Sequence, residues 1–101
     1  MNIEEKERLT RFQDFSDEAV SRRLRAARSI VSSSQKEFAK TVDLSETTYN
    51  SQEVRGRPSR EVMNYLYRNK RIGPNFILFG EFLQLPGDVQ NALIDALRAL
   101  D

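Results

Sequence analysis

The residues best suited to specific polar recognition lie between Ser45 and Ser51, in the run Ser-Glu-Thr-Thr-Tyr-Asn-Ser. Read as a helix capped by Ser45, the run carries a single large apolar side chain, Tyr49, which anchors it from beneath. Ser45, Glu46, Thr47, Asn50 and Ser51 then share the outer face, and all are short and polar. That is what base edges require, because they lie close to the backbone of a helix seated in a major groove. Asn50 has the donor and acceptor that adenine presents a match for. Glu46 accepts from the cytosine amino group, and the Thr47 methyl meets a thymine methyl. None of this chemistry is covalent.

Composition removes most alternatives. The chain has no cysteine and no histidine. It therefore lacks a disulfide framework, a thiolate metal site, the usual general base and the commonest metal ligand. No pair of carboxylates is marked by spacing. We expect no enzyme, no cofactor and no metal.

The preceding residues supply a brace. Ser34 can cap a helix, with Glu37 closing a capping box. Phe38, Ala39 and Val42 fall on one face of it. Asp43 suits a left-handed turn, and Leu44 is an apolar plug before the next cap. A buried helix followed by one with a single anchor and a polar outer face is the layout of a helix-turn-helix. In that motif the second helix enters the major groove and the first braces it.

Gln35 opens this stretch, and Ala39, Leu44, Ser45 and Tyr49 follow at set intervals. Arg57-Pro58-Ser59 and the Phe76–Gly80 segment come after them. Together they resemble the helix-turn-helix of the phage-repressor and Cro (Xre-like) family, over roughly Ala19 to Gly80. The resemblance implies an all-α fold: a five-helix bundle, here with an additional C-terminal helix and an N-terminal helix or arm. It implies a sequence-specific, repressor-like regulator of transcription that binds double-stranded DNA. Gln35 would donate to a phosphate and help to orient the reading helix, with Lys36 and Thr48 beside the backbone. The family's next loop lies along the DNA, which makes Arg55, Arg57 and Arg60 phosphate clamps. Three features depart from the pattern. Asp43 replaces a common glycine, Gln52 replaces an apolar lock, and no lysine or arginine precedes Arg55 in the reading helix. An antitoxin-like partner or accessory subunit that has lost DNA readout is the alternative on the same fold.

The rest of the chain is organised around this unit. Residues 16–80 hold 12 Lys/Arg against 7 Asp/Glu, whereas both flanks are acidic. The excess fits a phosphate-facing surface. Residues 1–15 read as an arm or short helix from about Glu4 to Gln13, with Ile3, Leu9, Phe12 and Phe15 as a loose stripe. Ser16 starts a helix whose buried face is Val20, Leu24, Ala27 and Val31. Arg22, Arg23, Arg25 and Arg28 are expected away from that face, in solvent or at phosphates. Ser59 caps a helix with Val62, Met63 and Leu66 inward and Tyr65 and Tyr67 at the core's edge.

Residues 81–101 form a C-terminal extension, in which Val89, Leu93, Ala96, Leu97 and Leu100 share one face. This face either folds back on the bundle or pairs across a two-fold axis; pairing is the expectation, and it would give a homodimer with two reading helices. The charged N-terminus lacks the apolar core of a signal peptide, and no run is long enough to span a membrane. A cytoplasmic location is the expectation.

Overall fold

Four helices begin at a serine whose side chain accepts the backbone N–H three residues on. Ser16 caps to Ala19, Ser34 to Glu37, Ser45 to Thr48 and Ser59 to Val62. Each such cap contributes about 1 kcal/mol. In the computed structural model, which describes residues 1–100, the elements are α1 (Ile3–Thr10), α2 (Asp17–Val31), α3 (Gln35–Thr41), α4 (Glu46–Arg55), α5 (Arg60–Lys70), α6 (Pro74–Phe79) and α7 (Gly87–Ala99). The described residues are all-helical, and none of these helices is long and apolar enough to cross a membrane. The capping box at α3 is only half formed. Ser34 N–H donates to Ser32 Oγ (3.1 Å), and Glu37 instead reaches Lys40.

α2 is the central element, packed against α3, α4, α6 and α7. Ala19, Val20, Leu24, Ala26 and Ala27 are all buried, so the helix is enclosed on more than the one face that its apolar repeat marks. Two of its arginines are enclosed with it. Arg23 is 1% exposed, and its guanidinium donates to the carbonyls of Thr10 (2.9 Å), Arg11 (2.6 Å), Ile77 (3.2 Å) and Asp14. Burial pushes Arg23 down to about 10, which still leaves it a cation at neutral pH. It fastens the α1–α2 connection and the end of α6 to the middle of α2. Arg28 is buried as well, so the expected outer face of arginines is reduced to Arg25; Arg22 is half-buried and donates to the Leu97 carbonyl.

α7 folds back. It lies along α2 and α1, with Val89, Leu93 and Leu97 in the same apolar cluster as Leu24 and Phe38 and with Leu100 packed on its edge. Lys6 Nζ donates to Gln90 Oε1 at 2.8 Å, tying α1 to α7. The face expected to pair two copies is therefore occupied within one chain, and residues 81–100 continue the core rather than extending from it. An apolar stripe demands a partner but does not name it. α1 is a short helix, not an arm. Leu9 and Phe12 pack on the core, while Ile3 and Phe15 stay largely exposed. Tyr67 also lies in solvent at 60% exposure, although Tyr65 sits edge-on to Phe38 as expected at the core's rim.

Left-handed residues frame α4. Asp43 (φ 60°) ends the turn after α3, where Leu44 N–H returns to the Ala39 carbonyl at 2.8 Å and Asp43 N–H to Lys40. This pairing closes the exposed carbonyls of a helix end. Gly56 (φ 66°) does the same for α4, and a Cβ there would collide with the Asp17 carbonyl of α2. Gly56→Ala thus meets both a left-handed backbone, itself costing about 1–2 kcal/mol, and a collision with backbone. We expect a loss on the order of 3 kcal/mol in chemical denaturation; a loss below half of that would show that α2 and α4 can separate locally.

Candidate nucleic-acid interface

The inner side of α4 has two anchors one turn apart, Tyr49 and Glu53, both buried. The Tyr49 ring packs on Phe38 at 4.8 Å between centroids. Glu53 takes a fork from Arg28, with Nη2 to Oε1 at 2.9 Å and Nε to Oε2 at 3.4 Å. Gln35 Nε2 donates to Glu53 Oε2 at 2.8 Å, and Ser21 Oγ donates to the Glu53 carbonyl at 2.6 Å. Arg28 also donates to the carbonyls of Ser33 (2.9 Å) and Ser32 (3.2 Å). One cluster therefore binds α4 to α2 and to the start of α3. Tyr49 Oη is buried next to it, without a hydrogen-bond partner among the described residues. Burial, reinforced by the charge on Glu53, raises the phenol well above its usual range.

This arrangement corrects the expectation of a single anchor. Composition and apolar spacing do not single out Glu53 and Arg28; the visible signal is the four-residue spacing of Tyr49 and Glu53 on one helix face. Gln52, which stands where an apolar lock was expected, accepts the N–H of Ser59 through Oε1 at 2.7 Å. It joins the end of α4 to the start of α5 by hydrogen bonding instead of packing.

The outer side of α4 is bare. Ser45, Glu46, Thr47, Thr48 and Asn50 are exposed, and Ser51 is half-buried. The Ser45 hydroxyl is occupied locally, accepting from Thr48 N–H and donating to Thr48 Oγ1 at 2.9 Å. Glu46, Thr47 and Asn50 have no such commitment.

The expected backbone residues divide into two groups. Lys36, Arg55 and Arg60 are exposed and make no ion pair among the described residues. Arg57 is paired with Asp17 at 3.1 Å, both well exposed, a contact worth under about 1 kcal/mol and easily exchanged. Gln35 gives its amide to Glu53, so its observed role is to orient α4. Between α2 and α4 lies an open cleft of about 420 Å³, bordered by Arg25, Gln35, Asn50 and Val54 over the Arg28–Glu53 pair. Beyond Val54, Arg55 and Arg57 face Asp17 and Glu18 across a second cleft, which is mixed in charge. Among the described residues no cluster of carboxylates is able to hold a metal ion.

The chain matches no protein-family model, no curated protein and no solved structure.

Proposed function

We propose that the protein is a sequence-specific, repressor-like regulator that binds double-stranded DNA by seating α4 in the major groove, with α3 and α4 acting as a helix-turn-helix of the phage-repressor kind. The observation that carries this reading is the contrast between the two sides of α4. Its back is locked by Tyr49 and Glu53, while Glu46, Thr47 and Asn50 face outward, uncovered by any other part of the described residues. A rigidly held helix with free short polar side chains is a device for reading an external surface. Lys36, Arg55 and Arg60 supply cations for phosphates around it, and those contacts position the helix without reading sequence.

Selection of binding sites from random duplex DNA tests the reading directly. Thr47→Ala together with Asn50→Ala should then leave the fold intact and flatten the sequence preference. Each lost base contact removes about 1–3 kcal/mol of discrimination, so the ratio of specific to non-specific affinity should fall at least tenfold. An unchanged ratio would remove α4 from the groove. A second reading, an antitoxin-like or accessory interaction module, draws on Phe15. That residue is 73% exposed and edge-on to the partly exposed Phe79. Stable co-purification with a protein partner, and no retardation of any duplex, would favour it.

A further inference from the structure

α4 has no lysine or arginine before its last residue, Arg55, so the turns that face the bases bring no positive charge of their own. The cleft beside Asn50 contains one. Of the four arginines on α2, Arg25 alone is exposed, and it borders this cleft together with Gln35 and Asn50. Nothing among the described residues holds it. The carboxylate at the cleft floor, Glu53, is already taken by Arg28 and Gln35. The residues three and four positions away on α2 are Ser21, Arg22, Arg28 and Ser29, none of them acidic. On its other flank Arg25 borders Arg11, Arg22, Glu18 and Leu100, and the charge of these described residues is net positive. Arg25 makes no hydrogen bond or ion pair among the described residues. An unpaired guanidinium in a locally cationic setting attracts an anion, and its planar fork matches two oxygens of a phosphodiester.

We infer that Arg25 grips the DNA phosphate next to the base pair contacted by Asn50, supplying from α2 the cation that the reading turns of α4 lack. Arg25 and Arg55 then hold the duplex at two levels along α4, one beside Asn50 and one at the helix end. This rests on the groove reading of α4 above.

The test uses the full chain and a mixed-sequence duplex of about two helical turns, with affinity measured over a series of salt concentrations. Each phosphate contact contributes about 0.9 to the slope of log affinity against log salt. Arg25→Ala should lower the slope by that amount and weaken binding near 0.1 M salt about tenfold. The loss should be alike for selected and unselected sequences, as expected of a contact that reads no base. Arg25→Lys should keep the slope, and Arg8→Ala, which removes the same charge from α1, should leave it unchanged. Thermal melts of Arg25→Ala should match the wild type, since the residue is exposed. If the wild type binds but the Arg25→Ala slope is unchanged, or Arg8→Ala lowers it equally, Arg25 is not a contact and the groove reading survives. If the wild type retards no duplex, both fall together.

Discussion

Arg23→Met is expected to lower stability by about 3–5 kcal/mol and the melting temperature by roughly 15–30 °C. Methionine fills much of the space left by the arginine stem, so the loss comes from hydrogen bonding and not from a cavity. The carbonyls of Thr10, Arg11, Asp14 and Ile77 would all lose a donor. A buried polar group left unpaired costs about 1–3 kcal/mol, offset in part because the connection can open to water. Domains of this size have about 5–15 kcal/mol in total, so the change consumes a large share of it. Arg23→Lys should recover only a fraction, because an ammonium has three donors at one point and no planar fork. Gly80 should matter in the same place, since a Cβ there would press on Thr10 and Arg11 carbonyls and on Arg23 Nε. A melting temperature for Arg23→Met within about 5 °C of the wild type would show that the carbonyls find other donors.

Glu53→Ala is expected to have a similar effect by a different route. It leaves Arg28, 8% exposed, as a buried cation without its carboxylate, and it takes the acceptor from Gln35. Removing one member of such a pair costs about 3–5 kcal/mol. Replacing both by apolar residues is far milder, so Arg28→Met combined with Glu53→Leu should cost well under the sum of the single changes. Equal and additive losses in denaturant titrations would mean that the two side chains act independently. Under the groove reading, Glu53→Ala also loosens the angle at which α4 is presented. Duplex affinity should then drop even at low temperature, where the variant remains folded.

Local signals carried much of the fold. The serine caps, Asp43 at the turn and Gly56 at the end of α4 each act through their own backbone neighbourhood, and a sequence displays such neighbourhoods directly. Exposure of Glu46, Thr47 and Asn50 follows in the same way from the apolar spacing around Tyr49. What was not legible depends on distant chain. Arg23 is buried because carbonyls from residues 10–14 and from Ile77 converge on it, and no property of α2 announces that convergence. Arg28 and Glu53 are 25 positions apart. On their own helices each has the polarity of a solvent-facing residue. Gln35 has a suitable amide for a phosphate, and within the protein that amide is given to Glu53. The face of α7 was evident as a face, and only the position of α2 decides what covers it.

All the restraints on α4 come from behind: Tyr49 and Glu53 on its inner side, Gln52 toward α5, and Gly56 against α2. The outward positions 46, 47 and 50 contribute almost nothing to folding, and surface changes of that kind usually stay within about 0.5 kcal/mol. Positions 46, 47 and 50 are in effect a replaceable legend on a fixed plate. A library randomised at those three sites, proline at position 50 apart, should express as folded protein, and under the groove reading a new target would then require no prior gain in stability.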